Sequence, residues 1–157
     1  MQTINQHHNG RTRTPAEHEV RYFMRVPPVT INLASSLSEA LTLMHEHDIR
    51  RLPVVLDTGE LRGIITDGDI RGADIMRSAG FQPGDIANTL RQVHVYQVMT
   101  ENPITVSDNT SLREVATLMI ENHIGGVPVV DDNRIVVGIV TESDLFEILV
   151  QRLDAEC

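Results

Sequence analysis

The chain has 157 residues, 41% of them hydrophobic and 3% aromatic, with no Trp and a formal net charge of −9. This can fill a Val, Ile, Leu and Met core and excludes a largely disordered chain, while the acidic balance and scarce aromatics exclude a duplex-binding face and a base-stacking platform. All 13 basic residues are Arg and the lone Cys is Cys157, which excludes a Walker-type loop, a Schiff-base lysine, a lysine general base and an internal disulfide.

No apolar run approaches the roughly 20 residues that span a bilayer. Met1 to Thr14 lacks the apolar stretch of a secretion signal. A cytoplasmic protein without membrane or nucleic-acid partners is expected.

In chain order, Thr14-Pro15-Ala16-Glu17 has the form of a helix start, with Thr as cap and Pro at the first position. It predicts a helix to about Met24. Val29-Thr30-Ile31 reads as a short strand. Ser36 to Glu39 is a capping box that opens a helix, with Leu37, Ala40, Leu41 and Met44 at helical spacing. Pro53 closes this region. A strand over Val54 to Leu56, a turn through Asp57-Thr58-Gly59 and a strand over Leu61 to Ile65 follow. A helix begins near Thr66 and continues through Asp74 to Ser78, where Gly80 ends it. Pro83-Gly84 reads as a turn, and Asp85 as the cap of a short helix through Arg91.

The pattern then recurs. Setting Pro28 against Pro103 gives an offset of 103 − 28 = 75. Without a gap, the same offset sets Leu37 on Leu112, Glu39 on Glu114, and Met44 on Met119. It also sets Pro53-Val54-Val55 on Pro128-Val129-Val130, Gly63-Ile64 on Gly138-Ile139, Thr66 on Thr141, and Asp69 on Asp144. Ile104-Thr105-Val106 is the second short strand, Ser111 to Glu114 the second capping box, and Val127 to Val130 and Ile135 to Val140 the second strand pair. Val95 to Met99 matches the segment ending at Met24. Two copies of one β-α-β-β-α unit result, an α/β (α+β) chain. One unit has too few strands to cover both faces of its sheet, so the copies are expected to stack. The expected divisions are a polar tail and short helix over 1–23, a first repeat over 24–80, a linker over 81–94, a second repeat over 95–150 and a tail over 151–157.

These motifs resemble the cystathionine-β-synthase (CBS) domain family. The matching pieces are Val98-Met99-Thr100, Ile-x-x-Leu-Pro-Val-Val at Ile49 to Val55, and Ile-Gly-Gly-Val-Pro-Val-Val at Ile124 to Val130. Most specific is Gly-Ile-Ile-Thr-x-x-Asp at Gly63 to Asp69, with its second copy at Gly138 to Asp144. The resemblance implies two repeats about a pseudo-twofold axis, with sheets packed against helices and two clefts between repeats. It also implies pairing into a homodimer and a regulatory rather than catalytic role toward a partner protein. No obligatory cofactor is implied. The implied ligand contains adenosine: AMP, ADP or ATP first, S-adenosylmethionine or NAD as alternatives. A structural dimerisation module without nucleotide is the further alternative.

By the same resemblance, Asp69 and Asp144 accept from a ribose diol, while Thr66 and Thr141 contact ribose or phosphate. Thr-x-x-Asp is also an acidic capping box, and serves its helix whether or not anything binds. Arg50 and Arg51 stand where relatives contact phosphates, and two adjacent guanidiniums suit a di- or triphosphate. A solvated Arg pair is the plain alternative. The second copy has Gly125 and Gly126 there, which admit close backbone approach, so the clefts are expected to be unequal. Backbone groups near Thr30, Thr105, Leu52, Pro53, Gly126, Val127 and Pro128 would read the base. The seven His residues have no metal-ligand spacing, since His45 and His47 point to different helix faces. No nucleophile–base pair is apparent.

Overall fold

The computed structural model describes residues 18–72 and 83–156. The first unit contains β1 (Ile31–Asn32), α1 (Leu37–Glu46), β2 (Arg51–Val55), β3 (Leu61–Thr66) and α2 (Asp67–Gly72). Next come α3 (Pro83–Gln92) and β4 (Thr100–Glu101). The second unit contains α4 (Leu112–Asn122), β5 (Gly126–Val130), β6 (Val136–Thr141) and α5 (Glu142–Glu156). The α/β class and the doubled unit are therefore as the sequence predicts.

Both helices α1 and α4 start where the Ser-x-x-Glu motif places them. Glu39 N–H donates to Ser36 Oγ at 3.2 Å, and Ser36 N–H donates back to Glu39 Oε2 at 2.6 Å. In the second copy only the bond from Glu114 N–H to Ser111 Oγ forms, at 3.2 Å. Removing the acceptor orphans a first-turn donor. Ser36→Ala is therefore expected to lower stability by about 1 kcal/mol, as read from a urea unfolding midpoint at unchanged slope.

The sheets differ between copies. One has the order β1-β2-β3-β4, and the other pairs β5 with β6. The strand predicted over Val29-Thr30-Ile31 is shorter and later, as β1 over Ile31–Asn32. The strand predicted over Ile104 to Val106 reduces to a single parallel bridge from Val106 to Val129. Pro53 and Pro128 sit inside β2 and β5 rather than at a boundary. The Pro128 carbonyl accepts from Val106 N–H at 3.2 Å, so the position contributes its acceptor to the sheet.

Several other boundaries change. Pro83-Gly84 is the first turn of α3, not a separate turn, since Pro suits a helix start where its missing N–H has no partner to lose. Asp85 therefore lies inside that turn. The 81–94 linker is thus largely helix, and its Leu90 and Val93 pack against the first core. The tail expected over 151–157 is helical through Glu156, because α5 continues. Thr14 to Glu17, and Asp74 to Gly80, lie outside the described residues.

The largest departure concerns the segments that lead each repeat. Val20 is fully buried in the second unit's core, beside Val115 and Val140, while Val95 is fully buried in the first unit's core, beside Leu37 and Leu52. Their backbones follow the same exchange. Val20 N–H donates to Thr110 O at 2.8 Å and Arg21 N–H to Asp108 O at 2.9 Å; Val95 N–H donates to Ser35 O at 2.8 Å and Tyr96 N–H to Leu33 O at 3.1 Å. Residues 19–23 are therefore no tail. Each leading segment seals the other copy. Among the described residues, Val20–Tyr22 forms a 3-10 turn where the sequence predicts an α-helix reaching Met24, and Val95–Gln97 forms its counterpart.

The motif glycines follow from this exchange. A Cβ on Gly63 would lie 2.8 Å from Thr100 O, and one on Gly138 would lie 3.2 Å from Arg25 O. Both are pressed by the methionine before that residue, Met99 in one copy and Met24 in the other.

The units also join directly, and do so symmetrically. Leu61 N–H donates to Arg134 O at 2.9 Å, and Val136 N–H donates to Gly59 O at 3.2 Å. These two bonds interchange under the 75-residue offset, as a local twofold axis requires. Gly59 and Arg134 present those carbonyls from left-handed backbone, at φ 85° and 61°. Beneath them Val55, Leu61 and Val136 form a small apolar cluster that Val130 completes.

Candidate ligand cleft between the two units

Two helices begin at the motif's Thr and Asp, with a reciprocal cap in the first copy and a one-sided one in the second. Thr66 N–H donates to Asp69 Oδ2 at 2.9 Å, and Asp69 N–H donates to Thr66 Oγ1 at 3.0 Å. In the second copy Asp144 Oδ2 accepts from Thr141 N–H at 2.7 Å and from the Thr141 hydroxyl at 3.0 Å. The preceding strand ties in at the same point. Arg50 O accepts from Asp67 N–H at 2.9 Å, and Gly125 O accepts from Glu142 N–H at 3.1 Å.

A cleft of about 440 Å³ runs between the units, within the range that holds a small ligand. One wall comes from the first unit, with His47, Asp48, Ile49, Arg50 and Arg51. The facing wall comes from the second, with Gly125, Ile139, Thr141, Glu142 and Ser143. Arg25, Pro27 and Val29 close one side. The structure thus brings Arg50, Arg51 and Thr141 together from opposite units. Thr66 and Asp69 stand at the start of α2, outside this lining.

Asp144 lies just behind the wall, only 6% exposed. Arg25 Nε donates to its Oδ1 at 3.1 Å. Arg25 was not predicted as a site residue. Its signal is in the repeat, since the 75-residue offset sets it on Thr100, a guanidinium where the other copy has a hydroxyl.

Arg51 explains the glycine pair. A Cβ on Gly126 would lie 2.5 Å from Arg51 Cδ, and one on Gly125 would lie 2.7 Å from its Nη2. The close approach that Gly125 and Gly126 permit is thus by an arginine of the other copy. Burial holds the Arg51 guanidinium below its ordinary pKa and Arg50 adds to the fall, while Glu142, Asp67 and Asp69 pull upward. Arg51 still carries its charge at neutral pH.

The remaining predicted residues lie elsewhere. Leu52, Pro53 and Val127 are fully buried, and Pro128 is buried with them. Their side chains belong to the strands β2 and β5, and only backbone groups remain to face a ligand. Thr30 and Thr105 are half-buried and stand apart from the cleft lining.

The offset makes the cleft's asymmetry plain. Arg25, Arg50, Arg51 and His47 correspond to Thr100, Gly125, Gly126 and Asn122. Three guanidiniums therefore gather on one side of the axis and none at the equivalent positions. Such a group suits an anion in an otherwise acidic chain. Among the described residues, no helix is long and apolar enough to cross a membrane.

Known proteins resemble this chain in sequence and in fold. A CBS domain-containing protein of Dictyostelium discoideum is 36% identical over 138 residues, which cover 86% of this chain and 93% of that protein. In longer curated relatives, the chain spans 22% and 25% of the length. The CBS domain pair of protein MJ0100, solved with 5′-methylthioadenosine and S-adenosyl-L-methionine, matches at a TM-score of 0.71 and 34% identity, covering 85% of this chain and 97% of that one. CBSX2 in complex with AMP also matches at 0.71, with 26% identity over 85% of this chain and 97% of the other. The CBS domain family itself matches residues 19–75 and 95–151. Those two spans include each leading segment and its repeat, and on them the chain belongs to the CBS domain family.

Proposed function

We propose that this chain is a non-catalytic regulatory module that binds a phosphorylated adenosine ligand, AMP first among them, in the cleft between its two units. Occupancy would alter the surface offered to a regulated partner protein. The observation that carries this reading is the meeting of Arg50 and Arg51 with Thr141 across the cleft. In it, Asp144 serves the ribose, Thr141 the ribose or phosphate, and the arginines the phosphate. Strand backbone near Leu52 and Val127 reads the base. Thr66 and Asp69 serve a second, weaker cleft that lacks the guanidiniums. AMP in CBSX2 supports the ligand class.

A second reading is S-adenosylmethionine. It is favoured by the ligands of the MJ0100 pair and by two carboxylates in this lining, Asp48 and Glu142, that suit a sulfonium. Thermal melts with AMP, ADP, ATP, S-adenosylmethionine, 5′-methylthioadenosine and NAD separate the two. Ligand at a hundred times its dissociation constant adds about 2.7 kcal/mol. The expected order places AMP ahead of the uncharged 5′-methylthioadenosine. A chain that no adenosine compound stabilises would be a structural dimerisation module instead, and the reading falls.

A further inference from the structure

We propose that Arg25 sets which ligands the cleft accepts, by holding the carboxylate a ribose needs and yielding it only to a ligand that brings its own anion. This rests on the reading of the cleft as a site for phosphorylated adenosine. Both oxygens of Asp144 are engaged: Oδ2 by Thr141, and Oδ1 by Arg25 Nε at 3.1 Å. Three of the carboxylate's roughly four acceptor sites are thus filled, so a diol that brings two donors competes with the guanidinium for Oδ1, and a buried carboxylate stripped of its cation is costly.

A neutral nucleoside gives Arg25 nothing in exchange. A phosphate does, because Arg25 lines the same cavity as Arg50 and Arg51. The Arg25 side chain is 47% exposed and free to turn, while its backbone stays fixed by the 3.0 Å bond from its N–H to Ile139 O. Swapping one anion for another keeps the guanidinium paired throughout. The other copy lacks this device, since Thr100 replaces Arg25, and Asp69 forms no salt bridge with an arginine among the described residues.

The test is calorimetric titration of the full chain with AMP and with adenosine, in wild type, Arg25→Gln and Asp144→Asn. Arg25→Gln is expected to bind adenosine about five-fold more tightly and AMP about two-fold less tightly, so that the preference for AMP falls by about ten-fold. In the Asp144→Asn background, Arg25→Gln should no longer change adenosine affinity. Arg25→Lys, which keeps the charge without Nε, guards against a folding defect in Arg25→Gln and should show a smaller change in the same direction. An adenosine affinity that does not improve, or a preference left intact, overturns the role of Arg25. A wild type that binds neither compound overturns the site itself, a distinct result.

Discussion

Replacing Arg50 and Arg51 together by Ala should weaken AMP binding by about a hundred-fold or more, and adenosine binding by only a few-fold. Each charge-assisted hydrogen bond to phosphate contributes about 1.5–3 kcal/mol. Two losses therefore amount to about 3–6 kcal/mol, and every 1.4 kcal/mol is tenfold in affinity. Burial makes Arg51 the stronger partner. It has already lost part of its water around the stem that crosses Gly126, and no salt bridge holds it among the described residues. An incoming phosphate gives that charge a counter-ion. The double variant should fold, since Arg50 is exposed and Arg51 gives up only the packing of its stem. Calorimetric titration decides it. AMP affinity that survives both substitutions would remove phosphate recognition from this cleft.

Leu61→Ala should lower stability by about 2–5 kcal/mol, the range for a fully buried Leu cut back to Ala. Leu61 is 1% exposed and belongs to the cluster with Val55 and Val136 on the local axis. The cavity would open at the joint rather than within one unit, where both copies lose packing. At about 2–4 °C per kcal/mol for a chain of this size, the melting temperature should fall by around 10 °C. Calorimetry should still show one transition, because each unit's core contains the other's leading segment. A split into two transitions, or a loss under about 1 kcal/mol, would contradict the description of the joint.

The sequence made some features legible and hid others for definite reasons. Ser36, Thr66, Thr141 and the Val-rich strands were readable because capping and burial act over a few residues. Leu37 and Met44 mark a helix face by spacing alone. The exchange of leading segments was not readable. Nothing in Val20 states whether it packs on Leu37 or on Val115, since both cores offer the same chemistry. The bridge from Glu19 to Ser111 joins residues far apart in the chain for the same reason. The family resemblance points the pair Arg50 and Arg51 toward the cleft of Asp144, but that they face Thr141 depends on how the two copies stack, which the sequence does not state. Arg25 went unnoticed because it contacts Asp144 across 119 positions. The Gly125-Gly126 pair announced a close approach and could not name the side chain that makes it.

The traded N-terminal pieces limit how this molecule can be divided. Cut between residues 72 and 83, it yields two fragments, each carrying a plug that fits the other's open core. Neither fragment alone contains the core that its own plug fills in the intact chain, so separately made halves should assemble on mixing. A chain half as long, with a single copy, could satisfy the same contacts only by lending its plug to a twin and borrowing one in return. Here one continuous polypeptide takes the place of both twins, so the reciprocal grip forms at fixed stoichiometry and does not weaken on dilution.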